Sequence, residues 1–115
     1  MKHEFLTAET GPKMRGGEFY AASQKEGDLY PTEHEYLGDD WYQALDQFAA
    51  RFFEYAADNL RYEEGAWHDL DGNPCQGMEG VPGSEDQFVN DNICSFTYEG
   101  KIYGIIFKTE NHDTI

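Results

Sequence analysis

The side chains best suited to bind a metal ion or to take part in catalysis lie between residues 68 and 91. His68, Asp69 and Cys75 supply nitrogen, oxygen and sulfur donors, yet their spacing matches no zinc motif. The run from Asp69 to Asn73 (DLDGN) resembles a calcium loop, but its glycine stands at position four instead of six, and position twelve is Gly80. A β-turn at Asp71-Gly72 is therefore expected, and a small metal-binding or enzymatic domain that uses the 68–91 region is kept as an alternative.

Patterns typical of catalysis do not occur elsewhere in the chain. The sequence has no GxSxG motif and no GxxxxGK[ST] phosphate loop. With 23 acidic residues, some pair of carboxylates will lie at glycosidase distance by chance, so such a pair indicates nothing. We predict that the protein is not an enzyme, and we assign no catalytic, metal or cofactor residues.

The negative charge is concentrated in the middle of the chain. The 115 residues have a formal net charge of -15, and the segment from Glu26 to Asp91 alone holds 17 acids against two bases, Arg51 and Arg61. The two ends are nearly neutral. Such a charge opposes direct binding to nucleic acid or to anionic lipid, so neither nucleic acid nor a membrane is an expected partner.

One long helix is predicted to carry both the core and much of this charge. Asp39 or Asp40 can cap its start, and neither glycine nor proline follows until Gly65, which would end it. We expect the helix to cover most of Asp40–Glu63. At 100° per residue the apolar side chains occupy one arc, from roughly 160° to 300° when Asp39 is set at zero. These apolar residues are Trp41, Leu45, Phe48, Ala49, Phe52, Tyr55, Ala56 and Leu60.

The opposite arc of this helix is acidic. Carboxylates fall there between roughly -20° and 100°, with gaps of about 6–12 Å along the axis. This is the scale on which phosphates repeat along a nucleic-acid strand. A solvated face that only keeps the protein soluble is the competing interpretation. The acids on this arc are Asp39, Asp40, Asp46, Glu54, Asp58 and Glu64.

Shorter elements are expected around the helix. Strands are predicted for His3–Thr10, Glu18–Ser23 and Gly65–Leu70, and a one-turn helix from the capping box at Thr32–Glu35 to Gly38. The strongest β signal is a hairpin in which Glu99-Gly100 joins residues 93–98 to residues 101–107. The predicted fold class is α+β: one long amphipathic helix packed on a small antiparallel sheet with a C-terminal hairpin, with acidic loops and short helices between, in a single domain over residues 1–115.

Four further expectations concern the rest of the chain. The glycine- and proline-rich stretch from Asp71 to Asp91 should be a long mobile or functional loop with a short helix at Glu85–Asn90. The two cysteines should be free thiols, with Cys94 buried and Cys75 in a loop. The absence of a signal-peptide pattern or an apolar span favours a cytoplasmic protein. Tyr30, Tyr36 and Trp67 are expected to lie outside the core.

The size, acidity and aromatic content together favour an inhibitor. In composition the chain resembles the small DNA-mimic proteins of phages and mobile elements, such as anti-restriction and anti-CRISPR proteins, although no motif carries the resemblance. It implies that the protein binds the nucleic-acid-binding surface of a basic target, with a homodimer possible. One alternative, an immunity protein or antitoxin that neutralises a basic nuclease, would bind through the same attraction between acidic and basic surfaces. Another alternative is a scaffold protein whose acidity serves only solubility. The residues expected to contact the partner are Glu33, Glu35, Asp39, Asp40, Asp46, Glu54, Asp58, Glu85 and Asp86.

Overall fold

The computed structural model describes residues 4–109 and shows the α+β fold that the sequence predicts. A short 3-10 turn (Gly11–Lys13) is followed by two strands, a long helix, a two-stranded hairpin, a short helix and a C-terminal hairpin. The elements are β1 (Gly17–Lys25), β2 (Thr32–Gly38), α1 (Trp41–Asn59), β3 (Leu60–Glu63), β4 (Ala66–Asp69), α2 (Glu85–Asn90), β5 (Ser95–Tyr98) and β6 (Lys101–Thr109).

The main sheet has four antiparallel strands in the order β2-β1-β6-β5. The two longest strands pair at its centre, from Gly17 opposite Thr109 to Lys25 opposite Lys101. The predicted C-terminal hairpin is confirmed. Its turn residues Glu99 and Gly100 have φ values of 51° and 78°, the left-handed conformation that a two-residue turn of this kind requires at both positions.

Helix α1 packs its apolar face into the core, as predicted. Phe48 and Phe52 both contact Phe96 of β5, with ring centroids 5.8 and 5.1 Å apart. Trp41 instead packs on Phe19 of β1, and its ring also lies so close to Gly11 that a side chain at that position would overlap it. Within residues 4–109, no helix combines the length and the apolar character needed to cross a membrane.

The predicted C-terminal end of α1 is wrong. The helix ends at Asn59, and residues 60–63 form β3, which pairs with β4 from Leu60 opposite Asp69 to Glu63 opposite Ala66. Gly65 does not cap the helix; with Glu64 it forms the hairpin turn, at φ values of 79° and 51°. Cross-strand pairing, including the contact of Tyr62 with Trp67 at 5.2 Å, therefore outweighs the helical propensity of this segment.

The one-turn helix predicted for residues 32–38 is also wrong, because this segment is strand β2 on the edge of the main sheet. The pairing with β1 skips Leu37 and His34, so β2 contains two bulges. A capping box fits four consecutive residues, but the long-range ladder to β1 supplies more hydrogen bonds than a single helical turn.

The N-terminal segment is not a strand within the described residues, and its first predicted position, His3, lies outside them. Leu6 is buried and donates its backbone N–H to the Ile105 carbonyl, and residues 8–10 then turn into the 3-10 segment. The other two strand predictions are confirmed, since β1 covers Glu18–Ser23 and β4 lies within Gly65–Leu70.

The stretch between β4 and β5 is packed more closely than the sequence suggests. Met78, Val81 and Phe88 are buried, and α2 covers the predicted Glu85–Asn90. Trp67, expected outside the core, is only 5% exposed and donates its indole N–H to the carbonyls of Val81 and Pro82. One indole side chain thus ties this loop to the core.

Candidate acidic surface and aromatic cavity

Helix α1 presents acidic side chains to solvent on the face opposite the core. Asp46, Glu54 and Asp58 are all exposed, and Asp39 is exposed just before the helix. Asp46 and Glu54 are separated by about 12 Å along the axis, and Glu54 and Asp58 by about 6 Å. Because the helix stops at Asn59, this stripe is about 18 Å long and does not reach Glu64, which lies in the turn between β3 and β4.

Helix α2 packs against α1 and carries two further acids. Its Phe88 ring stacks on Phe52 at 5.3 Å and meets Phe53 edge-on at 5.6 Å. These contacts place α2 against the apolar side of α1. Glu85 and Asp86 are exposed in the first turn of α2, where the helix dipole favours negative charge.

The two acids of β2 are separated from each other. Glu33 lies opposite Ala22 and Glu35 opposite Ala21, and consecutive residues of β1 point to opposite faces of the sheet. Glu35 therefore lies on the α1 side, where it forms an ion pair with Arg51. Glu33 lies on the far side and forms an ion pair with Lys108.

Asp40 has a structural role. Its carboxylate accepts a hydrogen bond from the backbone N–H of Gln43 at 3.0 Å, which makes it the N-cap of α1. Of the nine predicted partner-binding acids, one thus caps a helix and two are in ion pairs. The remaining six predicted acids are exposed on or next to α1 and on α2: Asp39, Asp46, Glu54, Asp58, Glu85 and Asp86.

The residues considered for a metal site have local partners. Asp69 accepts hydrogen bonds from the backbone N–H groups of Asp71 and Asn73, and these bonds hold its pKa below the usual value. His68 Nδ1 lies 3.1 Å from the Ala66 carbonyl oxygen. In the part of the chain that the structure describes, no group of three or more histidine, cysteine or acidic side chains is placed to hold a metal ion.

Both cysteines are free thiols, as predicted. Cys94 is buried and donates to the Leu6 carbonyl oxygen at 3.4 Å, whereas Cys75 is half-buried in the loop after β4. Burial raises the pKa of both thiols. Neither sulfur therefore has the electropositive setting of a reactive thiolate.

A cavity that the sequence does not predict lies between α1 and the main sheet. Its volume is about 280 Å³, and its floor includes Ala21 of β1. Six of the ten lining residues are aromatic, and the polar ones stand at the rim. The lining residues are Ala21, His34, Phe48, Arg51, Phe52, Tyr55, Phe96, Tyr98, Glu99 and Tyr103.

Several polar groups around this cavity contact one another. The hydroxyls of Tyr55 and Tyr98 lie 3.1 Å apart on one side. On the other side His34 Nε2 lies 2.6 Å from Ser23 Oγ, beside the Arg51–Glu35 ion pair. Burial, followed by hydrogen bonds with Tyr55 and Glu99, raises the pKa of Tyr98 far above that of a free tyrosine.

The sequence contains a faint signal for this cavity. On the inner face of β1, Phe19 is followed by the small residues Ala21 and Ser23, which leave space below the second half of α1. The alternation alone predicts only a strand, because the helix that lies above these positions is known only from the tertiary structure.

Comparison with protein-family models, curated proteins and solved structures finds no match to this chain.

Proposed function

We propose that the protein is a small acidic inhibitor that occupies the nucleic-acid-binding surface of a basic target protein. The supporting observation is the set of exposed carboxylates on α1 and α2, which lie outside both ion pairs described above. Their charge is available to a partner, because these side chains are exposed to solvent.

Inhibition of this kind needs no catalytic step. Lysine and arginine side chains that normally hold phosphates would instead meet carboxylates, and the field of a chain with net charge -15 would accelerate the encounter. The stripe of α1 has a lower charge density than duplex DNA, which carries one charge per about 1.7 Å of axis. The acids of α2 and Asp39 therefore have to contribute to the same interface.

The test begins with capture of a partner from a host lysate at low salt, followed by kinetics with the purified partner. The triple variant Asp46→Lys, Glu54→Lys and Asp58→Lys should slow association at least about tenfold. A matched control, Glu9→Lys, Glu26→Lys and Asp71→Lys, changes the net charge equally at exposed positions away from the stripe. It should slow association less than about threefold.

Competition and salt complete the test. A nucleic-acid duplex should displace the inhibitor from its partner, and binding should weaken as salt screens exposed charges over about 8–10 Å. If the stripe variant associates as fast as the wild type, or if duplex and inhibitor bind the partner together, the proposal is wrong. A defence nuclease as partner would indicate an anti-restriction or anti-CRISPR role, and a toxin nuclease an immunity role.

A further inference from the structure

We infer that the cavity between α1 and the main sheet is a binding site for a small, uncharged, planar aromatic molecule of one or two fused rings. This inference goes beyond the proposed inhibitor function, because it uses none of the acids on α1 and α2. It rests on the size of the cavity, on its aromatic walls and on the pairing of the charges at its rim.

The size and the walls of the cavity favour an apolar occupant. The cavity of about 280 Å³ is open to solvent on one side, and an apolar ligand in it would gain dispersion contacts with the side chains around Phe48 and Phe52. Water provides them poorly, since it needs several polar partners and the walls are mostly rings. An apolar cavity of about 150 Å³ in another protein binds benzene, so this one has room for a second fused ring.

The ring arrangement favours an aromatic over an aliphatic ligand. Phe96 lies edge-on to Phe52 at 5.1 Å and parallel to Tyr103 at 5.7 Å, within 20°. The lining rings thus already meet in the edge-to-face and parallel arrangements that aromatic pairs prefer, and an aromatic ligand can extend this set of contacts.

The rim favours a ligand without net charge. Arg51, the cation of the lining, is paired with Glu35, and the remaining lining carboxylate, Glu99, lies on the opposite side near Tyr98. An anionic ligand would meet Glu99 and the field of a chain with net charge -15, and a charge of either sign would lose hydration against the mostly aromatic lining. A neutral ring avoids both penalties.

The cavity is accessible from solvent. Tyr55 is 45% exposed, and Tyr98 and Tyr103 are half-buried, so part of the aromatic lining reaches the surface. The hydroxyls of Tyr55 and Tyr98 lie 3.1 Å apart on this side of the cavity. A flat ring that enters here would therefore meet aromatic side chains that are already partly exposed.

Indole is the probe for the test, with the full chain labelled for NMR. We expect saturable chemical-shift changes at the cavity residues Ala21, Phe52 and Phe96, with a dissociation constant below about 1 mM. Such an affinity is within reach of a ring of nine non-hydrogen atoms. Indole-3-acetate and tryptamine, which add one negative or one positive charge, should each bind at least about fivefold more weakly than indole.

Filling the cavity should abolish binding. Ala21→Met and Ala21→Phe place a larger side chain on its floor, and we expect indole affinity to fall at least tenfold in either. Ala57→Phe adds the same ring at an exposed position of α1 and should leave the affinity unchanged. If both filling variants fail to fold, Tyr103→Ala, which removes one wall at a half-buried position, should reduce affinity at least threefold.

The inference is overturned by any of three results. The first is the absence of a saturable shift in the wild type, or shifts only at residues remote from the cavity. The second is a folded Ala21→Met variant that binds indole as tightly as the wild type. The third is tighter binding of a charged analogue than of indole, which would show that the site selects a charged ligand.

Discussion

Phe48 lies where α1, α2 and β5 meet. It is 4% exposed, and its ring lies 6.1 Å from Phe88 and 5.8 Å from Phe96. Truncating a packed aromatic side chain removes its burial energy and leaves a hole that neighbouring rings fill only partly. This residue is therefore the most direct probe of the core.

We expect Phe48→Ala to lower the free energy of unfolding by about 3–5 kcal/mol. Urea unfolding followed by circular dichroism measures the change, and Tyr42→Ala, at a 65% exposed position of the same helix, is the control with little expected loss. A loss of less than about 1 kcal/mol for Phe48→Ala would show that this face of α1 is not core.

We expect Tyr98 to make the protein sensitive to alkali. Its pKa in the folded chain lies well above the ordinary value of about 10, because burial and its bonds with Tyr55 and Glu99 disfavour the phenolate. Above that ordinary value the unfolded chain loses the Tyr98 proton while the folded chain keeps it. The stability gained from the neutral hydroxyl is thus complete below about pH 10 and declines as the pH rises further.

We therefore predict that the stability of the wild type falls above about pH 9.5 and that Tyr98→Phe makes this fall shallower. Urea midpoints measured between about pH 8 and pH 11.5 test this, with Tyr42→Phe as the exposed control. Equal slopes for Tyr98→Phe and wild type would mean that Tyr98 ionises as readily in the folded as in the unfolded chain.

At the scale of elements, Asp40 combines two properties that substitution can separate. Its carboxylate caps α1, and its charge belongs to the acids predicted to contact a partner. Asparagine caps a helix nearly as well as aspartate but carries no charge. Alanine neither caps a helix nor carries a charge. Substitutions of Asp40 can therefore test the helix cap and the partner-binding charge separately.

Asp40→Ala should destabilise the protein by about 1 kcal/mol, and Asp40→Asn by less than half as much. Thermal unfolding of both variants in the same buffer gives the comparison. Asp40→Asn should also slow association with the captured partner, because it removes the carboxylate charge while the fold is retained. Equal destabilisation by both substitutions would argue that the charge, and not the cap, is what α1 requires.

At the scale of the whole molecule, the net charge of -15 opposes the compact state. Folding confines the 17 acids of residues 26–91 to a compact volume, and this part of the sequence holds only two bases. The repulsion is long-ranged in dilute salt, where the screening length is about 30 Å at 0.01 M, and short-ranged at 0.15 M, where it is about 8 Å. Stability should therefore respond to sodium chloride.

We predict that the urea midpoint rises when sodium chloride increases from about 0.01 M to about 0.15 M. The triple variant Asp46→Asn, Glu54→Gln and Asp58→Asn should begin from a higher midpoint at low salt and gain less from the addition. Urea is the denaturant of choice because guanidinium would itself screen the charges. A midpoint that falls with salt would show that attractive ion pairs dominate the surface.

Short-range signals in the sequence determined much of the fold. The apolar arc of α1, the Glu99-Gly100 hairpin, strand β1, helix α2 and the concentration of acids all follow from periodicity, turn chemistry or composition, which act within a few residues. Only the tertiary structure decided the end of α1 and the strand at residues 32–38, because pairing with distant strands outweighs helix caps there. It also decided that Trp67 is buried, that Glu33 and Glu35 lie on opposite faces in ion pairs, and that a cavity opens above Ala21. Each of these depends on which residues far apart in the chain become neighbours, and no local pattern encodes that.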